Sequence, residues 1–190
     1  MTVSGIVFLS LLAVAFFYGI TIYNNLVTLK HNVGKAWSNI EVLLKQRHDE
    51  LPKLVEVCRQ YMKFEQETLE KVIQARSRVA TASESHNMAA LGTAEAGLRS
   101  VLGQLFALVE AYPDLKANEN FQHLQGRITG LENAIADRRE LYNDSVNLNN
   151  VRIEQFPDII VARMFHFDSF DLLVFDSAET TDVDMKRLFS

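Results

Sequence analysis

No charged side chain precedes Lys30, and from Val3 to Ile22 the chain reads VSGIVFLSLLAVAFFYGITI, almost continuously apolar. A helix rises about 1.5 Å per residue, so about 20 residues cover about 30 Å, the thickness of a bilayer's hydrocarbon core. Twelve of these side chains are Val, Ile, Leu or Phe. At about 0.3–0.6 kcal/mol each, they favour insertion by roughly 4–7 kcal/mol. Ser4, Ser10 and Thr21 detract little, because their hydroxyls bond back to helix carbonyls. Tyr18 and Tyr23 stand where interfacial aromatic residues are expected. A cleaved signal peptide is the competing reading, and Ala13-Val14-Ala15 suits its small-x-small pattern. The lack of a basic leader and the continuation through Phe16 and Phe17 oppose it. Residues 1–23 are therefore read as a transmembrane anchor, with membrane lipid as its partner through residues 3–22. The flank after the apolar run carries Lys30, Lys35, Lys45 and Arg47 against Glu41 alone. The positive-inside rule then places the following domain in the cytoplasm.

Beyond the anchor the hydrophobic period stays close to 3.5. A first stripe runs through Leu26, Leu29, Val33, Trp37, Ile40 and Leu43. His48-Asp49-Glu50-Leu51-Pro52 interrupts it, and this segment is read as a turn, with a kinked continuous helix as the alternative. A second stripe joins Leu54, Val55, Cys58, Met62, Leu69, Val72 and Val79, and fades in the polar stretch Thr81–Ser85. A third holds Leu91, Leu98, Leu102, Leu105 and Val109, and ends at Tyr112-Pro113-Asp114. After a cap at Asn118, the fourth follows Phe121, Leu124, Ile128, Leu131, Ile135, Tyr142 and Val146. Gly and Pro number 8 and 3, which favours long helices over a turn-rich β fold. The expected fold is all-α: an up-and-down four-helix bundle over residues 24–150, whose first helix runs on from the transmembrane helix. Phe156-Pro157 should break the fourth helix. Residues 151–175 are read as an apolar strap packing on the bundle through Phe165, Phe167, Phe170 and Phe175, with an exposed patch as the alternative. Residues 176–190 are read as an acidic tail, since the last 25 residues hold six acids and two bases.

These residues resemble the LemA family. The resemblance begins with Tyr23-Asn24-x-Leu26-Val27 and continues through Val33, Ala36-Trp37, Ile40, Arg47-x-Asp49, Pro52, Leu54-Val55, Tyr61, Glu65 and Ala75-Arg76. It resumes at Tyr112-Pro113-x-Leu115-Lys116-Ala117, Phe121, Leu124-Gln125 and Glu132. It closes with Ile135-Ala136, Arg139, Tyr142-Asn143 and Phe156-Pro157. The sequence departs at Leu148-Asn149, where the family usually repeats Tyr-Asn. It departs again at Glu50 and Lys53, which stand for an apolar residue and an Asn. The resemblance implies a bacterial cytoplasmic-membrane protein with one N-terminal helix and a four-helix bundle. It implies no established activity; members look like anchoring or scaffolding proteins. Some are associated with membrane stress or envelope proteases, others with intracellular membrane organelles.

Several chemistries find little support. A net charge of −5 gives no basic field for nucleic acid. One cysteine allows neither an internal disulfide nor a Cys-based zinc site. A di-iron site in a bundle needs Glu-x-x-His, yet the residues three before the five histidines are Thr28, Lys45, Ser83, Asn120 and Arg163. Glu119 and His123 are four apart, and a solvated pair is the simpler account. Cys58 sits on an apolar stripe without a histidine on its face and reads as core. No cofactor, metal or catalytic residue is therefore expected, and the chain is read as non-enzymatic.

Charge on the stripes is the remaining oddity. Glu65 and Arg76 are eleven apart, and Glu132 and Arg139 seven apart, so each couple shares a helix face. A lone buried charge costs several kcal/mol, roughly, so these four should pair. They are read either as an ion-pair layer fixing helix register or as a polar pocket for a small molecule, lipid or peptide. The first fits a membrane-anchored scaffold with protein partners, the second a ligand-binding bundle.

Overall fold

The computed structural model describes residues 3–174, and its regular structure is entirely helical, with no strand among the described residues. The helices are α1 (Val3–Tyr61), α2 (Gln66–Glu84), α3 (Met88–Val109), α4 (Pro113–Lys116), α5 (Glu119–Glu154) and α6 (Asp158–Met164). Phe175 and the acidic tail assigned to 176–190 lie outside the described residues. Residues up to Asn39 form one compact unit with Arg138–Leu172, and Ile40–Asp137 form a second with Leu173 and Val174. The long helices α1 and α5 contribute to both.

In the first unit, α1 begins with the apolar run, and every large apolar side chain from Val3 to Ile20 is exposed. Burial starts at Ile22 and Leu26, which pack with Ala162 of α6, flanked by Ile153, Val161 and Phe167. Further along, Trp37 meets Tyr142 of α5 edge-on, ring centroids 5.8 Å apart. α5 ends at Glu154, just before a cis Phe156–Pro157 bond, and α6 follows. Asp158 lies in the first turn of α6, buried and ion-paired with Arg152, where a carboxylate also meets the positive end of the helix dipole. Beyond Met164 the chain runs back along α5. Asn150 donates to the Phe170 carbonyl at 2.9 Å and accepts from the Phe170 amide at 3.0 Å. The Tyr142 hydroxyl donates to the Asp171 carbonyl at 3.0 Å, and Asn149 to that of Asp168 at 3.4 Å. This part of the Phe-rich segment is held by its backbone: Phe167 is half-buried, while Phe165 stays exposed.

The second unit corrects the expected first turn. α1 does not stop at His48–Pro52; it continues through Pro52 to Tyr61. Proline has no N–H for the carbonyl four residues earlier, which is that of His48. Arg76 of α2 supplies the missing donor, its Nε lying 2.8 Å from the His48 oxygen. The helix breaks instead at Met62–Glu65, where the last turn closes from the Met62 amide to the Cys58 carbonyl at 2.8 Å. α2 extends through most of the stretch read as a linker, as far as Glu84, and Asn87 caps α3 through the Ala90 amide at 2.9 Å. Asn118 caps α5 as expected, accepting from the Phe121 amide at 3.0 Å. The core is apolar: Leu51, Leu54, Cys58 and Met62 from α1, Leu69 and Val72 from α2, Leu98 and Leu105 from α3, Phe121 and Ile128 from α5. Burial pushes the Cys58 thiol up to about 12, so it is inert as a nucleophile at neutral pH.

Gly92 fixes a close approach in this unit, because a Cβ there would collide with the Val174 carbonyl oxygen. Gly→Ala within a helix normally gains about 1 kcal/mol. Gly92→Ala is expected to reverse that sign and lose about 1–3 kcal/mol through overpacking. Gly97→Ala, in open space on the same helix, should show the ordinary gain in the same urea titration.

Candidate functional site

The buried polar groups of the second unit gather on α1, α3 and α5. Arg47 and Glu95, 3% and 4% exposed at the side chain, form an ion pair across α1 and α3. The near-complete exclusion of water at both ends separates this pair from the surface bridges of the molecule, which contribute little to stability. Glu132 of α5 feels the same charges. Burial raises its pKa most, Arg47 and Arg99 pull it down, and Glu95 pushes it up. Its Oε1 is buried with no hydrogen-bond partner among the described residues. One turn along α1, the buried Glu50 takes Arg127 of α5 at 2.9 Å and Lys53 at 3.3 Å. The two residues by which the sequence departs from the LemA pattern beside Pro52 thus bond to each other, and the second cation comes from α5.

A second polar knot ties α1 to α2. Arg76 reaches the His48 carbonyl with Nε and approaches the His48 Nε2 with Nη2 at 2.5 Å. A guanidinium only donates, so His48 Nε2 must accept and the ring proton sits on Nδ1. Burial and then Arg76 hold the His48 pKa below its usual 6.5, outweighing Asp49 and Glu84. A lowered histidine contributes stability above its unfolded pKa and loses it as pH falls through the folded value. Acidification should therefore weaken this knot.

The four charges singled out on the stripes fall in different places. Glu65 stands at the N-terminal boundary of α2, half-buried, and its carboxylate accepts from the Tyr112 hydroxyl at 3.3 Å. Arg76 is engaged by His48 rather than by Glu65. Glu132 belongs to the Arg47–Glu95 cluster, and Arg139 is buried in the first unit. Arg47 and Glu95 were missing from the expected set, although the signal was present. Counting by threes and fours from Ile40 gives 44, 47, 51, 54 and 58, and from Met88 gives 91, 95, 98, 102 and 105. Both residues occupy stripe positions that otherwise hold Leu or another apolar residue.

Glu132 has a measurable signature. A carboxylate with a raised folded pKa contributes stability that is fully present below its unfolded pKa and is lost as pH rises through the folded one. Glu132→Gln is expected to abolish the part of the stability loss that sets in as pH rises above about 4.5. Urea midpoints at a series of pH values check this, the variant giving the flatter profile.

Surface hollows lie in both units. An open groove of about 1020 Å³ runs along α2 and α3, floored by Ala75, Ala82, Ala94 and Gly97 with Lys71 and Arg78 at its sides. A smaller one of about 440 Å³ lies beside His48, between Leu44 and Val79. In the first unit, Ala36, Leu141 and Leu148 border a shallow depression of about 240 Å³.

Comparison with known proteins places this arrangement. Magnetosome protein MamQ 1 of Paramagnetospirillum magneticum is 24% identical over 158 residues, covering 71% of this chain and 58% of the relative. Magnetosome protein MamQ of Magnetospirillum gryphiswaldense matches to the same extent. The chain therefore spans a little over half the length of these relatives. Protein LemA of Metamycoplasma hominis is 27% identical over 177 residues, 92% of this chain and 79% of the relative. The profile of the LemA family matches residues 36–186, which include the whole charged cluster. The chain belongs to the LemA family.

Proposed function

We propose that this protein is a single-pass, non-enzymatic scaffold of a bacterial inner membrane, anchored by the start of α1 and presenting its helical domain to protein partners in the cytoplasm. The observation that carries the reading is the exposure of every large apolar side chain from Val3 to Ile20 on one uninterrupted helix. That stretch is long and apolar enough to cross a membrane and is almost wholly unburied by the rest of the chain. Apolar surface of this extent is stable only against lipid or another apolar partner. Exposed Lys30, Lys35 and Lys45 support the cytoplasmic orientation. The domain itself is read as an up-and-down bundle of α1, α2, α3 and α5. Polar bridges from α1 to each of the other three within the second unit support that arrangement. The open groove along α2 and α3 supports a role in holding partners, such as membrane proteases or envelope-stress components.

Alkaline carbonate extraction of cells expressing the chain should leave it in the membrane pellet. Alkaline phosphatase fused after Ser190 should stay inactive and a fluorescent protein there should glow. Release by carbonate overturns the anchor, and an active phosphatase overturns the orientation. Crosslinking from Thr93 in native membranes tests the scaffold: capture of a defined partner supports it, and an uncaptured chain speaks against it.

A second reading, a bundle that binds a small molecule or lipid, is favoured by the buried, partnerless Oε1 of Glu132. Native mass spectrometry separates the two. A ligand retained by the parent and lost in Glu132→Gln supports binding.

A further inference from the structure

We propose that α6, with Phe156 before it and Phe165 after it, lies in the headgroup region of the bilayer as an interfacial element beside the exit of α1. This rests on the membrane-anchor reading above. Three observations in the first unit carry it.

The first is depth. Ala162 packs directly on Ile22 and Leu26, and Tyr23 meets Phe165 and Phe167 edge-on at 4.8 and 5.8 Å. These contacts fall on the first turn of α1 after the apolar run that ends at Ile22. The headgroup layer on each side of the hydrocarbon core is roughly 5–8 Å thick. Residues 22–26 rise about 6 Å along the helix, so a segment fixed to them is held within that layer.

The second is the face. Phe156, Ile160 and Met164 follow one another at intervals of four, and they are 82%, 53% and 64% exposed. Phe165, 54% exposed, extends the patch. Within α6 the spacing of Ile160 and Met164 sets them on one side, and Phe156 stands just ahead of the helix, before the cis bond. No other described residue of the unit covers them, and the apolar surface of α1 that is equally uncovered begins at the adjoining turn.

The third is charge. Asp158, the acid of α6, is turned inward onto Arg152 and removed from the surface. Exposed Arg163 remains on α6 itself. Apolar side chains beside an exposed arginine suit an anionic membrane surface, where a basic residue contributes about 1 kcal/mol. A second protein copy or a partner protein would also want an apolar patch. Continuity with the apolar run of α1 selects lipid.

Spin labels on Ile160→Cys, Met164→Cys and Leu12→Cys, in chains reconstituted into phosphatidylethanolamine–phosphatidylglycerol vesicles, test the proposal. Buried Cys58 does not compete for label. Circular dichroism confirms that each labelled chain keeps its helix content. The expected result is that labels at 160 and 164 collide more with oxygen than with a water-soluble nickel chelate, as the label at 12 does. Nickel access at 160 and 164 with shielding at 12 overturns the proposal and leaves the anchor standing. Shielding of 160 and 164 from both reagents means a protein covers the patch, which also overturns it. Nickel access at all three sites defeats the anchor and this inference together.

Discussion

Arg47→Met is expected to destabilise the chain in detergent micelles by about 3–5 kcal/mol, the usual result of removing one partner from a buried ion pair. The cause is what remains behind. Glu95, 4% exposed, loses its cation, and Glu132 loses the first of the two charges that pull its pKa down. Two carboxylates then share one poorly hydrated region, with Arg99 as the remaining cation that lowers the Glu132 pKa. Arg47→Met/Glu95→Leu should recover most of the loss, because a buried pair replaced by apolar side chains of similar volume is often neutral or stabilising. Urea titrations of the parent, both single variants and the double variant give the coupling directly. The Arg47→Met deficit should also shrink at acid pH, where the stranded carboxylates take up protons.

The second large effect concerns Pro52. Arg76→Met should cost about 1–3 kcal/mol in the parent, because it leaves the His48 carbonyl inside α1 without a donor. Pro52→Ala should stabilise by up to about 3 kcal/mol, since the alanine amide can complete the helical bond to His48. The two changes should be strongly non-additive. In the Pro52→Ala background the backbone need not borrow a donor from α2, and Arg76→Met should cost less than about 1 kcal/mol, the residue of its contact with the imidazole. Equal costs in the two backgrounds would show that Arg76 acts through His48's ring alone.

The same pair of residues shows how far the sequence could be read. The helical character, the apolar run and the cap at Asn118 follow from local chemistry: period, hydropathy and an amide-accepting side chain. The course of α1 through Pro52 does not. A proline weighed by itself marks a turn or kink, and the compensating donor sits on another helix, 28 residues from His48 in the chain. The actual break at Met62–Glu65 contains neither Gly nor Pro, and its neighbours are fastened by contacts distant in sequence, Asn118 to Tyr61 and Tyr112 to Glu65. The charged cluster was half legible. A strict three–four count places Arg47 and Glu95 on the core side, but which acid meets which base depends on helix register. That is why Glu65 and Arg76, aligned on one face, end with Tyr112 and His48 instead of each other.

The return segment along α5 carries an implication of its own. Tyr142, Asn149 and Asn150 grip main-chain atoms of residues 168, 170 and 171, and none of these bonds involves a side chain of the gripped segment. Such a clamp measures chain length rather than residue identity. Substitutions at Asp168, Phe170 or Asp171 leave it intact unless they introduce proline at 170, whose amide is engaged. Removing or inserting one residue shifts every carbonyl out of reach at once. Among relatives, this stretch is therefore expected to diverge in letters while its spacing stays constant.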